Sequence, residues 1–315
     1  MGKEEQVQFE AVLENVAKVI VGKDDVIKKV LIALVAGGHV LLEDVPGTGK
    51  TMLAKAVARS VTADFSRVQF TPDLLPGDIT GLNVWVPSGS EFSFNPGPVF
   101  TNILLGDEIN RATPRTQAGL LECMEEKQVT IDGVTRKMEK VFFVIATQNP
   151  VETAGTFPLP EAQLDRFMMR LSMGFPERDQ EIEILRRFES QEPIETLTPV
   201  ISTDSILRIR DAIKNVSISA ELSGYITDII RATRVRSDVS SGVSPRGSLT
   251  LMKCARTLAL VSGRDYVVPE DIKELAPAVL AHRLILPHRF TEKRAGERVI
   301  KEILETVPVP TEDFR

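Results

Sequence analysis

The sequence predicts an α/β domain with a mainly parallel, helix-covered sheet, followed by a smaller domain built only of helices. Apolar strand-like runs alternate with helical patterns in the first half of the chain, an order that is typical of parallel sheets. A glycine-rich turn joins the first of these strands to a helix, as in phosphate-binding folds. Strand signals stop after residues 174–176, so we expect the boundary near Phe175, with residues 1–175 and 176–315 as the two domains.

Composition and charge indicate an ordinary globular protein. The 315 residues, 43% of them hydrophobic, can supply the cores of two domains. The formal net charge of −6, with both signs well mixed, gives no overall electrostatic reason to bind nucleic acid or an anionic membrane. Cys123 and Cys254 lie far apart in apolar helical patterns, which favours buried free thiols. Because no run could span a bilayer and the first residues do not resemble a signal peptide, we expect a cytoplasmic protein without membrane insertion.

Apolar periodicity predicts the elements of the first domain. In chain order they are two helices flanking residues 21–25, a buried strand at 39–43, a helix from about Lys50 to Val61, strands at 65–70, 102–107 and 141–148, and a helix from about Pro114 to Lys127. Two further stretches alternate like β-hairpins, residues 81–94 with Ser-Gly-Ser at the tip and residues 128–138 with Asp132-Gly133 as a tight turn.

The stretch LLEDVPGTGKT, residues 41–51, nearly matches the phosphate-binding pattern G-x-x-x-x-G-K-[ST], but Asp44 stands where the pattern has its first glycine. Lys50 would reach the β and γ phosphates, and the Thr51 hydroxyl would coordinate Mg²⁺. Because the Asp44 carboxylate need not face the ligand, we expect ATP binding to survive, with Asp44 either bracing the turn or disfavouring the anion. A plain strand-to-helix connection is the alternative. The residues expected to hold the nucleotide here are Pro46, Gly47, Thr48, Gly49, Lys50, Thr51 and Met52.

Polar residues end two more of the predicted strands. Asp107 suits a Mg²⁺ contact, and Glu108 suits polarising the water that attacks the γ-phosphate. Asn149 follows the strand at 141–148 and can orient that water or sense the γ-phosphate. Since the carboxyl ends of parallel strands meet at one rim of a sheet, these residues should lie near the glycine-rich turn. Taken singly, a solvated acidic strand end and an ordinary Asn-Pro turn remain open alternatives.

The order of these motifs resembles the AAA+ ATPases, and within them the MoxR group. The matching stretches are 20–34, 41–51, 69–81, 103–126, 146–150, 159–167 and 244–247. The similarity covers most of residues 10–290. It implies a Walker-type core with a helical lid, and a hexameric ring that binds ATP at the interfaces between subunits.

The resemblance also assigns roles outside the phosphate loop. It implies that Val21 and Gly22 lie beside the adenine. Arg166 is similar to the arginine finger that reaches a neighbour's γ-phosphate, although a surface arginine paired with Asp165 or Glu161 is the alternative. Arg246 is similar to the sensor arginine of the lid, and whether it serves its own subunit or the adjacent one is left open.

The function that the resemblance implies is a Mg²⁺-dependent ATPase that remodels, assembles or activates a partner protein, typically one with a von Willebrand factor A domain. The alternatives are a DNA motor related to the minichromosome-maintenance helicases, a magnesium-chelatase-like ATPase subunit and a slow nucleotide-gated switch. The acidic charge balance disfavours the DNA motor. The hairpins could present apolar side chains to a substrate or pack them for their own stability: Trp85, Val86, Phe92 and Phe94.

Overall fold

The structure is a computed structural model and describes residues 2–87, 91–149, 155–189, 192–287 and 294–310. The first part of the chain contains α1 (Lys3–Ala17), α2 (Asp24–Ala36), β1 (Val40–Glu43), α3 (Lys50–Ser60), β2 (Val61–Thr62), β3 (Phe65–Gln69), α4 (Pro76–Thr80), β4 (Gly81–Val86), β5 (Glu91–Pro96), β6 (Ile103–Asp107), α5 (Pro114–Glu126), β7 (Gln128–Ile131), β8 (Val134–Lys137), β9 (Phe143–Gln148), α6 (Glu161–Leu164) and β10 (Met169–Leu171). The second part contains α7 (Arg178–Phe188), β11 (Ile201–Ser202), α8 (Thr203–Ala212), α9 (Ala220–Val235), α10 (Pro245–Val261), α11 (Pro269–Leu280) and α12 (Ala295–Thr306).

A five-stranded sheet in the order β10-β1-β9-β6-β3 forms the centre of the α/β part, and every neighbouring pair in it is parallel. The register places Glu43 opposite Gln148 and Gly106 opposite Ala146. All five strands therefore end at one rim, which we call the carboxyl rim, and begin at the opposite amino rim. The predicted α/β class with a parallel sheet is confirmed.

Side chains alternate between the two faces of the sheet and build two cores. Leu42, Leu105 and Ile145 belong to a core that includes α1, α2 and α3 and continues into the helices of the second part. Leu41 and Leu104 belong to a second core beneath α5 and the hairpins. Because β1, β6 and β9 are buried on both faces, their ends are held rigidly, and the polar residues at those ends are positioned by packing.

The predicted elements of the first part are confirmed, with boundaries within a few residues. Both hairpins are present, and Asp132 and Gly133 have positive φ angles of 49° and 78°, as a tight two-residue turn requires. The tip predicted at residues 88–90 lies outside the described residues. Both predicted free cysteines are buried.

One strand differs from what the pattern indicated. Strand signals were expected to stop after residues 174–176, but β11 (Ile201–Ser202) lies beyond that point and pairs in parallel with β2. A strand of two residues leaves no periodic signal, so only its partner reveals it. The division near Phe175 remains a prediction. Among the described helices, none is both long enough and apolar enough to cross a membrane.

Candidate nucleotide site

The glycine-rich turn lies at the carboxyl rim, between β1 and α3. Gly47 and Gly49 have φ angles of 83° and 88°, a conformation that L-residues with a side chain rarely adopt. Gly49 immediately precedes α3, so the first backbone N–H groups of that helix point out at the turn. Unpaired amides and the positive end of the helix dipole make such a turn suitable for phosphate oxygens.

A cavity of about 390 Å³ opens at this rim. We call it the phosphate cavity. It brings together the turn, the first turn of α3 and the ends of β6 and β9, which the sequence predicted would meet. Its lining residues are Pro46, Gly47, Thr48, Gly49, Lys50, Thr51, Met52, Lys55, Asp107, Glu108, Thr147, Gln148 and Asn149.

Lys50 is the basic residue at the centre of the turn. Its Nζ donates hydrogen bonds to the carbonyl oxygens of Asp44, at 2.6 Å, and Val45, at 2.9 Å. Burial lowers the pKa of Lys50, and the nearby carboxylates of Asp44, Asp107 and Glu108 oppose that shift. The ammonium therefore sits between backbone carbonyls and the acids, within the loop that would receive phosphate.

Both oxygens of the buried Asp107 carboxylate have partners. Thr147 on β9 donates its hydroxyl to Oδ1 at 2.6 Å, and Arg67 on β3 donates from Nη2 to Oδ2 at 2.7 Å. The Thr51 hydroxyl lies 3.4 Å from Oδ2. A hydroxyl and a carboxylate facing each other are the hard oxygen donors that Mg²⁺ prefers, so Thr51 and Asp107 fit a magnesium ion held with a phosphate.

Glu108 has a strained backbone. Its φ and ψ angles of 56° and 51° place it in the left-handed region, which is costly for a residue other than glycine and occurs preferentially at functional sites. Its N–H donates to the Thr147 hydroxyl at 2.8 Å. Its carboxylate accepts hydrogen bonds from Gln69 at 2.9 Å and from Arg111 at 3.1 Å. The side chain is thus held at the mouth of the cavity by groups from two other elements.

Asn149 is the last of the residues predicted to meet at the carboxyl rim. It is buried and lines the phosphate cavity, and its backbone carbonyl accepts a hydrogen bond from the Asn110 side chain at 3.2 Å. The structure thus brings Lys50, Thr51, Asp107, Glu108 and Asn149 together at one cavity, and their roles in nucleotide binding and hydrolysis stay predictions. The sequence analysis missed Arg67, Gln69 and Thr147, which carry no recognisable local pattern.

Asp44, the residue that breaks the strict phosphate-loop pattern, directs its carboxylate towards the segment after β10. Oδ1 accepts the Ser172 hydroxyl at 3.0 Å, and Oδ2 accepts the backbone N–H groups of Met173 and, at 3.2 Å, Gly174. The carboxylate thus ties β1 to the chain leaving β10. This geometry favours the bracing role over direct repulsion of phosphate.

Val21 and Gly22 lie in the turn between α1 and α2 and are not among the described lining residues of the phosphate cavity. A Cβ on Gly22, whose φ is 67°, would overlap the side chain of Gln180 on α7. Lys23 also donates to the Phe175 carbonyl at 2.9 Å. The turn therefore rests against the junction between the two parts of the chain, and its role beside the adenine stays a prediction.

Arg166 and Arg246 lie at the amino rim, away from the described lining of the phosphate cavity. Arg166 precedes β10, and its Nε lies 2.9 Å from Oε2 of Glu125. Arg246, at the start of α10, places Nη1 2.8 Å from Oε1 of the same carboxylate. The anticipated alternative partners of Arg166 were Asp165 and Glu161, whereas the ion pair in the structure is with Glu125.

Comparisons with known proteins agree with this geometry. Residues 39–169 match the model of the ATPase family associated with various cellular activities (AAA), and residues 231–303 match the AAA lid domain. The uncharacterized protein YeaC of Bacillus subtilis (strain 168) is 50% identical over 95% of this chain and 94% of its own length. The chaperone MoxR1 of Mycobacterium tuberculosis is 42% identical over 96% of this chain and 82% of its own. A crystal structure of a candidate ATPase from Cytophaga hutchinsonii has a TM-score of 0.90 at 39% identity, covering 98% of this chain and 96% of the other.

Proposed function

Because the chain belongs to the MoxR family of AAA+ ATPases, we propose that it hydrolyses ATP with Mg²⁺ in a hexameric ring and uses the energy to remodel, assemble or activate a partner protein. The observation that carries the proposal is the phosphate cavity, where Lys50 and the pair Asp107 and Glu108 meet a glycine-rich helix start. This is the set of groups that phosphoryl transfer to water requires: phosphate binding, charge neutralisation and a base held in line.

Each group in the cavity has a task in that reaction. The amides of the turn and the Lys50 ammonium bind the phosphates, which requires the ammonium to leave the carbonyls of Asp44 and Val45. Thr51 and Asp107 would hold Mg²⁺, which supplies charge neutralisation on the phosphates when bound. Glu108 accepts a proton from the attacking water, and Asn149 orients that water.

The position of the two arginines supports the proposed ring. The four residues of β1 alone separate the amino rim from the carboxyl rim by about 13 Å. Arg166 therefore serves the ATP of an adjacent subunit, and its ion-pair partner Glu125 is shared with Arg246, so Arg246 serves the same neighbour. Contact between one rim and the other is a head-to-tail interface, which gives a ring where the rotation between subunits closes, and the hexamer implied by the family is such a ring. An arginine supplied in this way accelerates phosphoryl transfer by about 10³ to 10⁵.

The first hairpin, β4 and β5, supplies a surface for the partner protein. Trp85 and Phe92 are 49% and 70% exposed and contact each other edge to face at 5.2 Å. Phe94 instead packs inward, with the Arg136 guanidinium 3.9 Å from its ring centre. The packing alternative thus holds for Phe94. Trp85 and Phe92 remain accessible to a partner protein, and we propose that this partner carries a von Willebrand factor A domain.

Mixing inactive subunits tests the function and the ring together. Lys50→Ala subunits lack the phosphate contact but keep Arg166, and Arg166→Ala subunits have the converse defect. Each variant alone should be nearly inactive, whereas an equal mixture should regain activity at about a quarter of its interfaces. The control replaces the Arg166→Ala subunits with the Lys50→Ala/Arg166→Ala double variant, which offers no competent interface. If the equal mixture were no more active than this control although the subunits co-assemble, action between subunits would be excluded.

A further inference from the structure

We propose that Glu125 is a latch that holds Arg166 and Arg246 within their own subunit, and that the phosphate of the neighbouring subunit must displace it before either arginine can act. The inference rests on the proposed function, because it assumes that both arginines serve a neighbour's ATP. It concerns Glu125 alone, a residue to which the sequence analysis and the family resemblance assign no role.

The geometry of the carboxylate carries the inference. Each carboxylate oxygen of Glu125 pairs with a different arginine. Oε2 lies 2.9 Å from Nε of Arg166, and Oε1 lies 2.8 Å from Nη1 of Arg246. The two guanidinium groups come from distant parts of the chain, one before β10 and one at the start of α10. A γ-phosphate can likewise offer a separate oxygen to each arginine, so Glu125 makes the kind of charge-assisted contacts that we expect the phosphate to make.

The charges around Glu125 favour its replacement by a phosphate as the partner of Arg166 and Arg246. Asp165, the other acid of this cluster, is paired with Arg283, whose side chain is only 3% exposed and whose Nε lies 2.7 Å from Oδ1. Arg246 reaches Asp165 only at 3.8 Å. Three guanidinium groups thus share two carboxylates, which leaves one positive charge uncompensated within the cluster. An incoming phosphate, with more than one negative charge, is a better counter-ion than Glu125.

The latch is also weak enough to open. Glu125 is 34% exposed, and Arg166 and Arg246 are similarly accessible, so water screens both ion pairs. A cavity of about 190 Å³ lies next to the pairs, with Lys127 and His39 in its lining, and it gives the displaced side chains room to move. The cluster therefore restrains the arginines without burying them.

The test compares assembly rather than activity alone. In a Glu108→Gln background, which keeps ATP bound, we would measure by sedimentation velocity the subunit concentration at which rings form with Mg²⁺ and ATP. Glu125→Gln keeps the length of the side chain and removes its charge, so this concentration should fall about three- to tenfold. The matched control is Glu126→Gln, since Glu126 is the adjacent exposed residue of α5 and has no ion pair among the described residues.

A conservative replacement of Glu125 shows whether its charge or its packing restrains the two arginines. Glu125→Asp retains the charge on a shorter side chain and should stay closer to the parent protein than Glu125→Gln does. Equal assembly by the Glu125→Gln and Glu126→Gln proteins would overturn the latch, as would weaker assembly after Glu125→Gln. If Arg166→Ala in an otherwise unchanged chain left both assembly and ATP hydrolysis at the parent level, the proposed action of Arg166 between subunits would fail, so the two failures can be told apart.

Discussion

The two rims of one sheet differ in how they hold their charged groups. At the carboxyl rim, Asp107 is fixed on both oxygens by Thr147 and Arg67, and the backbone of the buried strands sets its position. At the amino rim, Arg166 and Arg246 extend from a loop and a helix start to a single, partly exposed carboxylate. The first arrangement is preorganised for chemistry, whereas the second can rearrange. In the proposed ring, each chain therefore carries a rigid half and a movable half of a site.

Removing the base gives the largest expected change and tests the rigid half. Glu108→Gln should preserve ATP binding and lower the hydrolysis rate by about 10²- to 10⁴-fold, because the amide cannot accept the proton of the attacking water. Binding would be followed with a fluorescent ATP analogue, and hydrolysis by phosphate release. The matched control is Glu43→Gln, since Glu43 lies at the same rim but pairs with Arg170. Normal turnover by the Glu108→Gln protein would show that the base lies elsewhere.

The sequence predicted the rigid half better than the movable half, for a physical reason. Lys50, Asp107 and Asn149 follow buried strands, and parallel strands bring their ends to one rim whatever the details of packing. Arg67 and Thr147 are ordinary polar residues in the two strands that flank β6, and only the folded sheet brings their side chains to Asp107. No local pattern marks such partners.

The side-chain partners in the movable half are even harder to predict from the sequence. Arg166 was recognised through the family, but its partner Glu125 lies on a different element, and nothing in the sequence relates the two positions. The partners expected from nearby residues, Asp165 and Glu161, were the closest in the chain. In the folded structure Arg283, which follows α11, pairs with Asp165. Long-range ion pairs between surface elements depend on packing angles that periodicity does not encode.

Replacing Asp44 should destabilise the rigid half without removing a residue that we propose for catalysis or metal binding. Asp44→Ala removes the acceptor for Met173, Gly174 and Ser172, leaving two backbone N–H groups without their partner. Because a buried donor without an acceptor is destabilising, the free energy of unfolding should fall by about 1–3 kcal/mol. Urea denaturation followed by circular dichroism would measure it.

The control for this change is Ser172→Ala, which removes one hydrogen bond to Asp44 and should lower stability by about 0.5–1.5 kcal/mol. ATP affinity separates the two roles considered for Asp44. Tighter ATP binding by the Asp44→Ala protein without loss of stability would indicate repulsion of the phosphates and would contradict the bracing role.

The smallest expected change concerns Arg67, which pairs with Asp107 at the carboxyl rim. Its guanidinium holds Oδ2, the same oxygen that faces the Thr51 hydroxyl, and so would compete for that position with the Mg²⁺ ion that we propose there. Arg67→Met removes this competitor. The Mg²⁺ concentration that half-saturates tight binding of a fluorescent ATP analogue should therefore fall about threefold, in keeping with the modest strength of a half-exposed ion pair.

Arg111→Met is the matched control for Arg67, because both side chains are 45% exposed and each pairs with one acid of the site. Arg111 contacts Glu108, so its loss should leave the Mg²⁺ requirement unchanged. A higher Mg²⁺ requirement after Arg67→Met would mean that Arg67 positions Asp107 for the metal. In that case the carboxyl rim would be more rigid, and the amino rim the sole movable half.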